Sequence, residues 1–368
     1  MATADYKLMS PIQLAGDLVL KNRVFMSPMT RARSDPVTRT PTEITQLYYE
    51  QRAGAGLVVV EATAISEQAY GWYGTPALYT DAHAAAWKKV VDRVHAKDGT
   101  IFLQLWHIGR AGHPSFNPKH DLVSASAIAI PDGYIRDAAG ERTTHAMPRA
   151  LETEEIAGIV DDYRKCAERA KAIGFDGVEI HSANGYLVDQ FLQSVTNKRT
   201  DKYGGSFENR ARFLLEIVEA LKTVYPENRI ALRLSPNSPY NHMGSADNAD
   251  MFTYVCERLR KYDLAYLGML DGAGFGLHDK GRLLTLLDAK KAYGGRVVGN
   301  VSYTRDIAEG AIRSGASDAI AFGRDYISNP DLAERFANDW PLNPPADPSI
   351  FWHGPANGDG YIDFPSYR

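Results

Sequence analysis

A regular alternation of short apolar runs with longer amphipathic stretches is the feature that most constrains the fold of this chain. Each run is rich in Val, Ile and Leu, and each is followed by a stretch of roughly helical length. Continuous apolar strands are buried on both faces, and their alternation with helices indicates a parallel sheet. Eight such units without a break predict an α/β fold, a (β/α)8 barrel in which residues 1–368 form one domain. The predicted strands lie within residues 24–28, 56–65, 101–107, 177–181, 230–236, 264–270, 296–300 and 318–324.

A doubly wound open sheet is the alternative architecture. Such a sheet would usually carry a Gly-x-Gly-x-x-Gly turn after its first strand. The corresponding segment here, SPMTRARSD at 27–35, does not resemble that turn.

Three segments lie outside the repeat. Residues 1–20 alternate apolar and polar side chains around Gly16-Asp17, which predicts a β-hairpin that caps the barrel floor. Residues 111–150 form a long insertion after the third strand, which we interpret as a lid because such loops are usually functional or mobile. Residues 340–368 are rich in Pro, Gly and aromatic residues and predict an irregular tail.

Charge and cysteine content exclude several classes of protein. Lys and Arg number 41 against 45 acidic residues, so the net charge of −4 provides no broad basic field for nucleic acid or anionic lipid. The segment 22–33, NRVFMSPMTRAR, is a possible local anion site. Cys166 and Cys256 stand in predicted helices without zinc spacing, which argues against a disulfide scaffold or a metal site. No run of 18 apolar residues and no signal-peptide core occur, so we expect a cytoplasmic protein outside the membrane.

The active site of a (β/α)8 barrel lies at the carboxyl ends of its strands. The fourth predicted strand runs out there into three side chains that can donate hydrogen bonds, His181, Asn184 and Tyr186. The seventh and eighth strands end in VVGN and AFGR, where glycine lets the backbone approach a phosphate. A tight turn with a solvated arginine is the alternative interpretation of these two ends. The candidate phosphate-binding residues are Gly299, Asn300, Gly323 and Arg324.

Two polar residues stand inside otherwise apolar strands, Gln104 in IFLQLW and Arg233 in IALRLSP. A buried charge must be paired or must meet a ligand, because burying it alone is costly. One interpretation is an internal salt bridge with a carboxylate such as Glu61 or Glu179. The other is a cofactor that carries electron-rich oxygens and a ring nitrogen, and the pattern alone leaves both open.

Longer motifs make the chain resemble the Old Yellow Enzyme family, FMN-dependent ene-reductases on a (β/α)8 barrel. The motifs run from residue 21 to about 332, and GYIDFPSY extends the match into the tail. They are KNRVFMSPMTRAR, EATAIS, QLWHIGR, GFDGVEIHSANGYLVDQFLQSVTNKRTDKYGGSFENRARFLLEIV, ALRLSP, VGN and FGRDYISNPDL. The resemblance implies a non-covalent FMN that is reduced by NADPH or NADH.

The resemblance also implies cofactor contacts. Thr30 would hydrogen-bond flavin O4, Gln104 would bind the pyrimidine edge, and Arg233 would lie near N1 and O2, where negative charge gathers on reduction. Met29 and Ala62 would pack much the same in any core. The implied cofactor-binding set is Pro28, Met29, Thr30, Ala62, Gln104, Arg233, Gly299, Asn300, Gly323 and Arg324.

By the same resemblance, His181 and Asn184 would hold a carbonyl or nitro oxygen of the substrate. Hydride would pass from flavin N5 to Cβ of an activated alkene, and Tyr186 would protonate Cα. The substrates would be enones, enals, nitroalkenes or other nitro compounds. Because one site would serve both the nicotinamide and the alkene, ping-pong kinetics are expected.

The substrate pocket implied by the resemblance is aromatic. In SIFWHG the tail places Phe351 and Trp352 near the active site, where the family commonly has a Phe-Tyr pair. The tryptophan in place of the tyrosine is a departure from the family pattern, and it bears on substrate range and stereochemistry. The candidate substrate-binding residues are Thr30, Trp106, His181, Asn184, Tyr186, Phe275 and Trp352.

The candidate partners for a 2′-phosphate of NADPH are Arg110, Arg136 and Arg142. For the oligomeric state, a monomer or a homodimer is expected.

Two other functions compete with this one. A barrel acting on phosphate substrates, such as an aldolase or isomerase, would want a Schiff-base lysine or a carboxylate base, and no inner strand end carries a lysine. A flavin store or redox sensor would need no proton donor, so Tyr186 argues against it.

Overall fold

The computed structural model describes residues 5–14, 17–274, 276–352 and 358–367 of the chain. Its strands are β1 (Ile12–Gln13), β2 (Val19–Leu20), β3 (Val24–Met26), β4 (Leu57–Val59), β5 (Thr63–Ala64), β6 (Ile101–Trp106), β7 (Val123–Ser124), β8 (Ile135–Arg136), β9 (Arg142–Thr143), β10 (Arg149–Ala150), β11 (Gly177–Ser182), β12 (Ile230–Leu234), β13 (Tyr266–Leu270), β14 (Val297–Asn300) and β15 (Ala319–Phe322). Its helices are α1 (Glu43–Glu50), α2 (Asp81–His95), α3 (Ile156–Ala172), α4 (Leu187–Leu192), α5 (Phe207–Lys222), α6 (Asn248–Leu259), α7 (Leu286–Tyr293), α8 (Arg305–Arg313), α9 (Arg324–Ser328) and α10 (Leu332–Asn338).

A closed parallel barrel organises the molecule. Within the described ranges, its strands follow the order β3, β4, β6, β11, β12, β13, β14 and β15, and β15 pairs with β3 to close the sheet. β5 continues the second strand after a break and pairs with β6. Neighbours in the barrel are neighbours in the chain, as successive right-handed βα units require. The predicted (β/α)8 barrel is confirmed, and the open-sheet alternative is wrong.

The returning helices begin at side-chain caps. Thr80, Ser206, Thr285 and Thr304 each accept a hydrogen bond from the N–H three residues later. Each such bond satisfies a free donor of the first turn and is worth about 1 kcal/mol. The short helices α4 and α9 escaped prediction because six and five residues are too few to show helical periodicity. None of the helices in the described ranges is both long and apolar enough to cross a membrane.

The N-terminal hairpin covers the barrel floor, as predicted. β1 and β2 pair antiparallel, although Gly16 of the predicted turn lies outside the described residues. Apolar side chains of the hairpin and of the inner faces of the strands form one buried cluster. It includes Ile12, Leu14, Leu18, Leu20, Phe25, Leu57, Val59, Phe102, Ala231, Tyr266, Val298 and Ala319.

The insertion at 111–150 forms two small sheets above the barrel. β7 pairs with β10 in parallel, and β8 pairs with β9 antiparallel. Its role as a lid stays a prediction.

Candidate active site

A cavity of about 430 Å³ opens at the carboxyl ends of the barrel strands. Most side chains predicted from the sequence line it: Pro28, Met29, Thr30, Gln104, His181, Asn184, Tyr186, Arg233, Asn300, Gly323, Arg324 and Trp352. Ala62, Trp106 and Gly299 are buried behind that lining. Phe275 lies outside the described residues.

The polar base of the cavity follows from the two-residue period of the strands. Side chains two residues apart on a strand point to the same face of the sheet. Phe102 and Ala231 belong to the apolar floor cluster, and Gln104 and Arg233 stand two residues further along the same strands. The barrel interior therefore changes from an apolar floor to a layer that carries an amide and a guanidinium.

Arg233 brings a positive charge to this layer. Its Nη2 donates to Asn300 Oδ1 at 2.7 Å and to Ser27 Oγ at 3.3 Å, and its Nη1 donates to the Pro28 carbonyl at 3.4 Å. Across the described residues it forms no ion pair with Glu61 or Glu179, although Glu179 acts on it at longer range. The internal salt bridge that the sequence allowed is therefore not formed, and the charge is held by neutral acceptors.

His181, Asn184 and Tyr186 converge on one wall of the cavity. The rings of His181 and Tyr186 meet edge-on at 4.9 Å, and Trp106 packs edge-on against Tyr186 at 5.2 Å. Between them the chain turns sharply, because Asn184 and Gly185 both have left-handed backbone, with φ of 58° and 72°. In the described part of the chain, His181 Nδ1 and Asn184 Oδ1 are buried without a hydrogen-bond partner. Because these two atoms are inaccessible, the polar side-chain atoms of His181 and Asn184 that can meet a ligand in the cavity are Nε2 and Nδ2.

Burial sets the protonation of this wall. Burial, and secondarily the charge of Arg233, holds the pKa of His181 well below its ordinary value, so the imidazole is neutral at neutral pH. Burial also raises the pKa of Tyr186 well above its ordinary value, so the phenol stays protonated. The wall thus offers neutral N–H and O–H donors.

A buried carboxyl supports the turn that carries these donors. Asp189 Oδ2 accepts from the Gly185 N–H at 2.8 Å, and Asp189 Oδ1 accepts from Gln193 Nε2 at 2.9 Å. Ser235 Oγ accepts from the Asn184 N–H at 2.7 Å. Both N–H groups of the left-handed turn are therefore satisfied from below, which fixes the direction of the donors.

Replacing Asp189 by Asn is expected to change how stability depends on pH. Burial raises the pKa of Asp189 to about 7, whereas the pKa of an unfolded aspartate is about 3.9. Between these values the folded state binds a proton that the unfolded state lacks. The group's contribution to stability is therefore full at acid pH and is lost as the pH rises toward 7, by about 1.4 kcal/mol per unit. Asp189→Asn removes this loss.

Urea unfolding of both proteins at several pH values measures this effect. The free energy of unfolding of the wild type, relative to Asp189→Asn, should fall steadily as the pH is raised from 5 to 7. A relative stability that stays constant over this interval would show that the carboxyl does not titrate there.

The loop after β14 has an unusual backbone. Val301 and Ser302 have φ of 89° and 64°, a left-handed conformation that β-branched residues rarely adopt. Successive N–H groups in such a turn form an anion-binding concavity. The Asn300 side chain does not point to it, because it holds Arg233 and donates to the Ala321 carbonyl at 2.6 Å. The sequence predicted a binding loop at the end of this strand. It did not predict the left-handed backbone, because neither Val301 nor Ser302 is a residue type that indicates it.

Arg31 and Arg33 fix the tail over the cavity. Arg31 Nε donates to the Phe351 carbonyl at 3.0 Å, and Arg33 Nη2 donates to the Ile350 carbonyl at 2.9 Å. Phe351 and Trp352 thereby reach the cavity wall. These arginines of the basic segment bind tail carbonyls, so the anion site considered for that segment is a structural clamp instead.

The three arginines considered as partners for a 2′-phosphate lie in different environments. Arg110 is buried and donates to the Asn241 carbonyl at 2.9 Å, so it is not available to a nucleotide and that prediction is wrong. Arg136 lies in β8 and Arg142 in β9 of the insertion.

Besides Phe322 at the end of β15, three aromatic side chains from loops line the cavity without having been predicted, Trp72, Tyr240 and Tyr303. They follow the second, fifth and seventh barrel strands by several residues. Strand periodicity does not define the path of such loops, so only their aromatic character could have drawn attention to them.

The chain matches a known family and several solved structures. Residues 7–343 match the family described as NADH:flavin oxidoreductase / NADH oxidase. A probable flavin mononucleotide-dependent alkene reductase of Leishmania infantum is 37% identical over 362 residues, which cover 96% of this chain and 95% of the relative. The structure of morphinone reductase in complex with tetrahydroNAD has a TM-score of 0.90 and 41% identity, over 98% of each chain. The old yellow enzyme homologue from Zymomonas mobilis has a TM-score of 0.92 and 38% identity, over 98% of this chain and 99% of that one.

Proposed function

Because the chain belongs to the NADH:flavin oxidoreductase / NADH oxidase family and is an FMN-dependent ene-reductase of the Old Yellow Enzyme type, we propose how its cavity works. It reduces the activated C=C bond of small α,β-unsaturated carbonyl and nitro compounds. One observation carries this proposal: neutral hydrogen-bond donors and a positive charge line the same cavity. The neutral donors of His181, Asn184 and Tyr186 suit a substrate oxygen. The positive charge of Arg233, at the bottom of the cavity, suits a cofactor that gains negative charge.

The residues of the cavity fit FMN. Arg233 has no ion-pair partner among the described residues, so its charge is free to meet the pyrimidine edge of a flavin. The left-handed loop at Val301 and Ser302 suits a single phosphate, and the exposed Arg324 lies beside it. We assign cofactor-binding roles to Pro28, Met29, Thr30, Ala62, Gln104, Arg233, Gly299, Asn300, Gly323 and Arg324, with Ala62 and Gly299 acting from behind the lining.

When bound, FMN supplies the site with hydride taken from NADPH or NADH. His181 Nε2 and Asn184 Nδ2 hold the substrate oxygen, and two donors on one oxygen stabilise the negative charge that develops there. Because the pKa of Tyr186 is raised, its phenol stays protonated and can donate the proton to Cα of the substrate. Trp106 packs edge-on against the Tyr186 ring and holds that ring in the cavity wall.

The nicotinamide and the alkene use the same wall of the cavity in turn, which gives ping-pong kinetics. Trp352 stands at the mouth, where it is 40% exposed, and its bulk limits the size of substrates. Enones, enals and nitroalkenes of modest size are therefore the proposed substrates.

The purified protein is expected to be yellow and to release one equivalent of FMN per chain, and no FAD. The reason is that the left-handed loop after β14, beside Arg324, suits one phosphate and that the sequence has no dinucleotide turn. Acid precipitation followed by chromatography of the supernatant identifies the flavin and its stoichiometry. Release of FAD, or a flavin that stays with the pellet, would refute a non-covalent FMN site.

A second measurement separates the enzyme from a flavin store. Under anaerobic conditions NADPH or NADH should bleach the yellow colour, and cyclohexenone should restore it. A protein that bleaches but does not recover with any enone or nitroalkene would lack the proposed activity.

A further inference from the structure

A buried carboxylate lies beside Gln104 on the neighbouring strand. Glu179 on β11 is paired in register with Gln104 on β6, and Gln104 Nε2 donates to Glu179 Oε1 at 2.8 Å. On the other side, Tyr266 Oη donates to Glu179 Oε2 at 2.6 Å. The Glu179 side chain is not part of the cavity wall, and it is only 2% exposed. Both of its oxygens are therefore committed to named donors.

We propose that Glu179 is a positioning residue for the cofactor, which fixes the direction of the Gln104 amide and tempers the charge of Arg233. The inference rests on the proposed place of FMN in this cavity. An ionised carboxylate only accepts hydrogen bonds, so Gln104 must turn Nε2 toward it and Oε1 away. A flavin pyrimidine carries one N–H donor between two carbonyls, and Gln104 Oε1 is the matching acceptor.

The charge of Glu179 acts on the same edge. Burial raises the pKa of Glu179, whereas the charge of Arg233 and the hydrogen bonds from Tyr266 and Gln104 oppose that rise. Both oxygens of Glu179 accept from donors, which is the hydrogen-bonding pattern of an ionised carboxylate. The positive charge of Arg233 favours the negative charge that a flavin gains on reduction, whereas the negative charge of Glu179 disfavours it. The pair therefore gives a lower midpoint potential than Arg233 would give alone.

Glu179→Gln isolates the charge. The new amide oxygen can accept from Gln104, and its Nε2 can donate to Tyr266, since a phenol hydroxyl also accepts. Affinity of the apoprotein for oxidised FMN should change little. Affinity for reduced FMN should rise about tenfold relative to oxidised FMN, which for a two-electron couple is a midpoint potential higher by about 30 mV. Fluorescence titration and spectroelectrochemistry give the two quantities.

Two further variants complete the test. Tyr266→Phe is the matched control, because it removes one hydrogen bond and keeps the carboxylate, so the potential should stay near the wild-type value. Glu179→Leu removes the acceptor, and oxidised FMN should bind about tenfold more weakly because the Gln104 amide is no longer held. If Glu179→Leu does not fold, Glu179→Gln alone decides.

The failures are distinguishable. A wild-type apoprotein that binds no FMN would overturn the proposed function together with this inference. Normal FMN binding by the wild type, with an unchanged potential in Glu179→Gln, would overturn this inference alone.

Discussion

Tyr186→Phe is expected to slow alkene reduction by about 10²–10⁴-fold, the usual contribution of a general acid. Only the hydroxyl is lost, so the ring still packs edge-on against Trp106 and His181, and folding and flavin content should survive. Reduction of the flavin by a nicotinamide requires no acid and should keep its rate. Anaerobic stopped-flow absorbance of the flavin, recorded for each half-reaction separately, measures the two effects.

Two controls sharpen this result. A nitroalkene should be affected less than cyclohexenone, because its nitronate product is stable enough to leave before protonation. Tyr240→Phe removes a second phenol hydroxyl from the cavity lining and should reduce cyclohexenone at close to the wild-type rate. If Tyr186→Phe is reoxidised by cyclohexenone as fast as the wild type, the proton comes from another group.

The strand pattern was sufficient to predict most of the cavity for a geometric reason. Parallel strands bring their carboxyl ends to one edge, so residues at or just beyond those ends become neighbours. Gln104 and Arg233 were found because a polar or charged side chain in a buried apolar strand needs a partner or a ligand. Tyr240 was missed because it depends on loop backbone: the residues after it, Asn241 and His242, have φ of 56° and 59°.

Register explains what the pattern left open at Arg233. The sequence allowed a salt bridge to Glu179, and both side chains do point inward. The register of β11 and β12 pairs Arg233 with His181, whereas Glu179 pairs with Ala231 on that side and with Gln104 on the other. A shift of two residues thus separates the two charges, and hydrophobic periodicity cannot fix such a shift.

The clamp on the tail was beyond prediction for another reason. Arg31 and the Phe351 carbonyl are separated by 320 residues in the chain. A carbonyl has no residue identity, so nothing in the sequence marks it as the partner of an arginine. The resemblance located Phe351 and Trp352 near the cavity, and the contacts that hold them there became visible only in the structure.

Replacing both His181 and Asn184 by Ala is expected to abolish the binding of phenols, with FMN retained. A phenolate can stack on a flavin, which gives a broad long-wavelength absorption band, while its oxygen accepts hydrogen bonds from the two side chains. Each bond to a charged oxygen is worth about 1.5–3 kcal/mol, so losing both should weaken binding by at least about 10²-fold. Titration with a para-substituted phenol, followed at the long-wavelength band, measures the affinity.

The matched control is His113→Ala, which removes a histidine of the insertion that is not part of the cavity lining. It should bind phenols as the wild type does. Because the pKa of His181 is held well below its ordinary value, wild-type affinity should show no histidine titration between pH 6 and pH 8. A double variant that keeps its FMN and still binds phenols at wild-type affinity would mean that the substrate oxygen is held elsewhere. His181 and Asn184 would then contribute only to the shape of the cavity wall next to Tyr186.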